Sequence, residues 1–187
     1  MLLPLFGFAF IIGAIFYSDK IGETFIRDSN VNNAYDAFFI KWGTYYGVNW
    51  RVLKRIAYIE PRIGLDRRVK LGIENPKDIS GSKSGDGLSW GIMQTTLSTA
   101  KTYDKTTTEE KLNSPSFSIQ MGAAHLAFLK KNYPTFTDRD LVMSYNHGQG
   151  NQLKFIAKEK AGTLLLTEYP AGRSYWNHYL EAKELIP

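Results

Sequence analysis

The chain has 187 residues, of which 43% are hydrophobic and 22% are charged, and this composition is ordinary for a globular protein. It contains no cysteine, which excludes disulfides and thiolate metal sites, and no other metal-binding motif is present, so we expect neither a metal nor a cofactor. The net charge of +5 favours polyanions in general. No nucleic-acid-binding motif accompanies that charge, and we expect no nucleic-acid partner.

The N-terminal segment is apolar. Residues 1–18 carry no charged side chain, and Asp19 and Lys20 end the run. As a helix it would extend about 27 Å, the short end of what spans a bilayer. A cleaved signal peptide normally has a positive start and a small-residue cleavage site, and this run has neither. We therefore predict a retained hydrophobic helix, either membrane-anchored or buried in a larger assembly, followed by a linker or helical extension over residues 19–33.

Residues 34–187 are predicted to form one domain, and its first helix ends at Tyr46, before Gly47. That helix presents an aromatic stripe, which favours packing against the helix that follows. The stripe consists of Tyr35, Phe38, Phe39 and Trp42.

A second helix is predicted from the N-cap Asn49 to Glu60, because Pro61 disfavours helical backbone at the residue before it. Apolar residues recur along it at spacings of three and four, and Glu60 closes that stripe. Exposed glutamates at helix ends are common. In a half-dry cleft, however, desolvation would keep the carboxyl protonated near neutral pH, ready to act as an acid. The apolar face comprises Trp50, Leu53, Ile56 and Ala57, whereas Arg51, Lys54 and Arg55 fall off it.

A long polar loop over residues 61–90 follows, and loops of this length are usually functional or disordered. It leads into a turn at residues 91–94 (Gly-Ile-Met-Gln), and we expect a small β element between Ile79 and Gln94. A glycine in such a turn lets the backbone approach a ligand closely. Beyond it, a helix is predicted to start near Leu97.

Three further helices are predicted in the C-terminal half. One begins at Ser114-Pro115, since proline is favoured in a first helical turn, and ends before Pro134. The next begins with a capping box formed by Thr137 and Asp140 and ends at Gly148. The third covers residues 151–161. The buried face of the first comprises Ile119, Gly122, Ala123, Leu126 and Leu129, and His125 lies off it with no assigned role.

Three motifs occur in order: residues 59–60 (Ile-Glu) at a helix end, residues 91–94, and residues 144–148 (Ser-Tyr-Asn-His-Gly). In this order the chain resembles the SLT-type lysozyme-like lytic transglycosylases and the goose-type lysozymes, over residues 40–180. A fourth and weaker match is residues 173–176 (Arg-Ser-Tyr-Trp), where the family's preceding Glu is replaced by Ala171.

The resemblance implies a mainly helical, lysozyme-like (α+β) domain that cleaves the β-1,4 bond between N-acetylmuramic acid and N-acetylglucosamine in peptidoglycan. It makes Glu60 the catalytic acid, and it makes Asp86 a candidate for positioning an attacking water. The other residues that it implies line the substrate cleft or brace the site: Gly91, Met93, Gln94, Tyr145, Asn146 and Tyr175. Met93 is as consistent with a core position as with substrate contact.

Two departures from the family pattern keep alternatives open. Pro61 stands where the family usually has Ser after the catalytic Glu, so any support of the carboxyl by that Ser is missing or replaced. The loop between Glu60 and Gly91 is also long, which makes Glu74 a backup acid. Besides the transglycosylase, we therefore keep a hydrolase that uses Asp86, and a non-catalytic wall-binding or assembly protein of the same fold.

The expected partners are peptidoglycan glycan strands, with membrane or assembly partners reached through residues 1–18. We expect an enzyme of local wall penetration, either in a phage virion or in a secretion or conjugation system. The expected location is the periplasmic face of the bacterial inner membrane, anchored by the N-terminal helix, with a phage virion component as the alternative.

Overall fold

The computed structural model describes residues 34–60 and 89–187. The predictions for residues 1–18 and 19–33, and those for Glu74 and Asp86, lie outside the described residues. The described part is mainly helical, as predicted, with one small two-stranded sheet. Its elements are α1 (Asp36–Tyr46), α2 (Trp50–Ile59), β1 (Ser89–Trp90), β2 (Thr95–Thr96), α3 (Leu97–Tyr103), α4 (Glu109–Asn113), α5 (Pro115–Asn132), α6 (Asp138–His147), α7 (Gln149–Lys160) and α8 (Pro170–Leu185).

Helix α2 lies in the middle of this bundle, in contact with α1, α5 and α8. The side chain of Asn49 accepts a hydrogen bond from the backbone N–H of Arg51 at 3.0 Å, so the predicted N-cap is confirmed. Leu53, Ile56 and Ala57 have no exposed surface. The apolar stripe predicted from the sequence is therefore the contact face of α2.

The expectation that Lys54 and Arg55 lie off the buried face is wrong, because neighbouring helices cover α2 on more than one side. Lys54 is 3% exposed and pairs with Asp36 at 2.6 Å. Arg55 is 8% exposed and donates hydrogen bonds to the Ile186 carbonyl at 2.9 Å and the Tyr179 hydroxyl at 3.2 Å. Each buried cation therefore has oxygen partners, which offset the cost of taking it out of water.

The predicted β element is a short antiparallel hairpin that pairs Ser89 with Thr96 and Trp90 with Thr95. The Thr96 side chain also caps α3, accepting a hydrogen bond from the backbone N–H of Thr99 at 3.2 Å. Since α3 packs against α5, this cap holds the hairpin on the helical bundle.

The predicted boundaries of α5 and α6 are confirmed. Helix α5 begins at Pro115, although the Ser114 side chain makes no cap hydrogen bond. Helix α6 has the full capping box, in which Thr137 and Asp140 each bind the other's backbone N–H. Gly148 alone separates the end of α6 from the start of α7. Its φ of +82° allows the chain to change direction abruptly between the two helices. Within residues 34–60 and 89–187, no helix combines the length and the hydrophobicity that crossing a membrane requires.

Candidate active site

The candidate acid, Glu60, is the residue at which α2 ends. Its backbone N–H still bonds to the Ile56 carbonyl at 3.0 Å, but Pro61 prevents the helix from continuing. Its half-buried carboxyl accepts a hydrogen bond through Oε1 from the Tyr175 hydroxyl at 2.6 Å. Burial raises the pKa of Glu60 from 4.5 to about 7, and the Tyr175 hydrogen bond opposes that rise. The carboxyl can therefore both give and take a proton near neutral pH.

Tyr175 reaches this carboxyl from α8, 115 residues further along the chain. It is 7% exposed, and both burial and the nearby charge of Glu60 raise the pKa of its hydroxyl well above the ordinary value. Tyr175 is thus a neutral donor to Oε1 at any physiological pH. The hydrogen bond from Tyr175 engages one carboxylate oxygen of Glu60, Oε1.

The turn at residues 91–94 has a tightly constrained backbone. Both Gly91 (φ +69°) and Gln94 (φ +46°) adopt left-handed conformations, and the Gln94 amide donates to the Gly91 carbonyl at 2.7 Å. A Cβ at Gly91 would lie 1.9 Å from the backbone oxygen of Leu112 in α4. Glycine is therefore required here by the close approach of α4. Gly91 was predicted to lie beside the cleft, where the backbone could approach a sugar closely. In the structure this residue is buried.

Two helices hold Met93 in this turn. Its N–H donates to the Ser118 hydroxyl of α5 at 3.1 Å, and its carbonyl accepts from the Tyr145 hydroxyl of α6 at 2.8 Å. Its side chain has no exposed surface and packs so closely on Gly122 that a Cβ there would lie 2.6 Å from the Met93 methyl carbon. Of the two roles considered for Met93, this placement favours the core.

Tyr145 binds the turn at residues 91–94 and the strand residue that follows it. Its hydroxyl donates to Met93, so at 3.2 Å the Thr95 hydroxyl is the donor and Tyr145 the acceptor. Burial first, and the charge of Glu60 among the smaller causes, raise the pKa of Tyr145 well above its ordinary value. The charge of Glu60 therefore acts on both Tyr145 and Tyr175. Asn146, the next residue of α6, is exposed and its side chain makes no hydrogen bond within the described part of the chain.

Replacing Tyr145 with Phe is expected to destabilise the protein by about 1–2 kcal/mol, because the Met93 carbonyl and the Thr95 hydroxyl each lose a partner. Urea unfolding measures that loss. Tyr133→Phe is the matched control, since the Tyr133 hydroxyl makes no hydrogen bond to a described residue. Equal midpoints for the two variants would mean that Tyr145 does not hold the turn.

The sequence did not reveal the part that three residues near the site play: Ser118, His125 and Tyr103. Ser118 binds the turn through the Met93 N–H. His125 was given no role, yet its ring centroid lies 5.4 Å from that of Tyr145, and its Nδ1 is 2.8 Å from the Tyr103 hydroxyl. Burial lowers the pKa of His125 to about 4, so the ring is neutral at neutral pH. No motif marks these positions, because their role depends on how α3, α5 and α6 pack together.

The sequence-family model of the transglycosylase SLT domain matches residues 37–164, about two thirds of the chain. The chain belongs to the SLT transglycosylase family. This membership confirms the predicted lysozyme-like fold and the enzyme class: SLT domains are lytic transglycosylases, which cleave glycosidic bonds of peptidoglycan. Comparisons with curated proteins and with solved structures give no match.

The SLT match includes Glu60, the turn at residues 91–94 and Tyr145, whereas Tyr175 lies beyond its end. Within the ranges that the structure describes, no cluster of three or more His, Asp or Glu side chains is arranged to hold a metal. The roles of the individual side chains stay predictions.

Proposed function

We propose that Glu60 is the single general acid and base of a lytic transglycosylase that cleaves the β-1,4 bond between N-acetylmuramic acid and N-acetylglucosamine. The observation that carries this proposal is a carboxyl with a pKa of about 7, whose Oε1 is held by Tyr175. General acids work best when their pKa lies near the working pH, and removal of such a group typically slows a reaction by roughly 10²–10⁴-fold.

The reaction needs no second protein carboxylate. Oε2 of Glu60 gives its proton to the glycosidic oxygen, and the bond from that oxygen to C1 of the muramic acid breaks. The acetamido oxygen of the same sugar shares electrons with C1 and supports the positive centre. The Glu60 carboxylate then takes the proton of the C6 hydroxyl, whose oxygen bonds to C1 as the acetamido oxygen leaves. A 1,6-anhydro sugar results, and Glu60 is protonated again.

Tyr175 and Tyr145 have different parts in this scheme. Tyr175 stabilises the carboxylate form of Glu60 between the two steps, and it thereby takes the place of the family's Ser at the position of Pro61. Tyr145 fixes the turn at residues 91–94 through Met93. Asn146, which follows Tyr145 in α6, has an exposed side chain that is available to bind sugar.

The products distinguish this reaction from its alternatives. The full chain is incubated with purified sacculi, and the released fragments are analysed by mass spectrometry. Anhydro ends support the transglycosylase. Reducing ends one water heavier would instead indicate a hydrolase, the reaction for which Asp86 is the candidate water-positioning residue. No release at all would leave the non-catalytic wall-binding or assembly protein that Pro61 suggests.

We also propose local wall penetration at the cell envelope as the biological setting, in a phage virion or in a secretion or conjugation system. It is supported by the apolar segment at residues 1–18, which offers attachment to a membrane or to an assembly. Under this proposal the enzyme acts on the periplasmic side.

Tyr175→Phe is expected to raise the pKa of Glu60 by about one unit, because the carboxylate form loses a charge-assisted hydrogen bond. Catalysis requires the protonated acid, so the alkaline limb of the pH profile of kcat/KM moves to higher pH while the maximum rate falls a few-fold. Tyr46→Phe, on α1, serves as the control and leaves the limb in place. An unmoved limb in Tyr175→Phe would show that Tyr175 does not support the acid.

A further inference from the structure

A hydrogen-bond network centred on the buried Gln152 links α6 and α7. The Asp140 carboxylate of α6 accepts through Oδ1 from the side-chain amide of Gln152 in α7, at 2.7 Å. The other end of Gln152 lies 2.7 Å from Nε2 of His147, the last residue of α6. Gln152 has no exposed surface, and Asp140 is 4% exposed. We call these three side chains the buried network.

The chemistry of Asp140 sets the direction of every hydrogen bond in the buried network. A carboxylate only accepts, so the Gln152 NH₂ faces Asp140, and the amide oxygen faces His147. That oxygen only accepts, so Nε2 of His147 carries the proton, and Nδ1 is left bare. Burial lowers the pKa of His147, since it disfavours the charged form of the ring, and the hydrogen bond with Gln152 opposes that shift. The ring is thus fixed in one tautomer and one orientation.

The Nδ1–Cε1 edge of the ring lies against the backbone of α8 at Gly172. A Cβ added at Gly172 would lie 2.5 Å from Nδ1 and 2.7 Å from Cε1 of His147, so α8 comes as close to the ring as glycine allows. The ring also contacts Tyr169, the N-cap of α8, with ring centroids 6.0 Å apart. Gly172 and Tyr175 are three residues apart and share the buried face of α8. The contact with His147 is therefore one helical turn from the hydroxyl that binds Glu60.

We propose that the buried network is a positioning device for the acid: His147, fixed by Gln152 and Asp140, sets where α8 lies and so holds the Tyr175 hydroxyl on Glu60. His147 touches neither substrate nor the reacting carboxyl, and it acts through Tyr175. This inference deepens the proposed function and rests on it, since it requires Glu60 to be the acid.

The test compares His147→Leu with His147→Gln in the full chain. Leu cannot donate to Gln152, whereas the Gln amide can replace the Nε2 donor. His147→Leu is expected to move the alkaline limb of kcat/KM upward by about 0.5 pH unit, towards that of Tyr175→Phe. His147→Gln is expected to restore the wild-type limb. His147→Leu combined with Tyr175→Phe should match Tyr175→Phe alone, because His147→Leu only weakens the hydrogen bond that Tyr175→Phe removes.

Gly172→Ala provides a second route to the same test, should His147→Leu not fold. The added methyl collides with the His147 ring and pushes α8 away, so the limb is expected to move in the same direction. A purely structural role would lower the yield or stability of these variants and leave the limb in place, and that result overturns the inference. Wild-type activity in Glu60→Gln would instead overturn the proposed function, so the two failures are distinguishable.

Discussion

Glu60→Gln is expected to lower the release of anhydro fragments from sacculi by roughly 10²–10⁴-fold, the usual contribution of a general acid and base. The amide has the shape of the carboxyl and still accepts the Tyr175 hydrogen bond through its oxygen, so the site keeps its geometry. It cannot give up a proton to the glycosidic oxygen or take one from the C6 hydroxyl. Mass spectrometry of the released fragments measures the loss.

Glu110→Gln is the matched control, because it makes the same chemical change on the exposed first turn of α4. Its release of fragments should equal that of the wild type. Circular dichroism and gel filtration of both variants show whether each is folded. If a folded Glu60→Gln protein releases as much material as the Glu110→Gln control, Glu60 is not the acid, and Glu74, the backup, becomes the residue to substitute next.

The sequence predicted the end of α2 at Glu60, because the signal for that helix end is local. An apolar stripe at helical spacing, an Asn at the start and a Pro after the last residue determine both the helix and the place where Glu60 leaves it. The capping box of α6 and the proline at the start of α5 are local in the same way. Elements of this kind depend on residues three or four positions apart, so one sequence is enough to find them.

What the sequence could not show depends on contacts between distant segments. Lys54 and Arg55 look like surface residues on a helical wheel, and only the packing of α1 and α8 around α2 buries them. The need for glycine at position 91 also comes from a distant segment, because the Leu112 carbonyl occupies the space that a Cβ would take. The hydrogen bond from Tyr175 to Glu60 joins residues 115 positions apart, so the family resemblance could name Tyr175 as a site residue, but no periodicity could predict this bond.

The stability of the protein is expected to fall as pH rises, because the pKa of Glu60 is about 7 in the folded chain against 4.5 without the surrounding protein. Below about pH 4.5 the carboxyl is protonated in both the folded and the unfolded chain, so its titration does not change the free energy of unfolding. Between about pH 4.5 and pH 7 the unfolded chain ionises first, which favours unfolding. Above pH 7 both states are ionised, and the folded protein bears a cost of at most about 3 kcal/mol.

Glu60→Gln removes this titration, so the variant is expected to gain stability over the wild type between about pH 4 and about pH 8, by up to about 3 kcal/mol. Urea unfolding at the two pH values measures the difference, and Glu110→Gln should show no such gain. A difference that stays constant with pH would mean that Glu60 titrates normally and is too well hydrated to be the proposed acid. The substitution that abolishes catalysis should therefore stabilise the fold, because the burial that prepares Glu60 for proton transfer opposes folding once the carboxyl is charged.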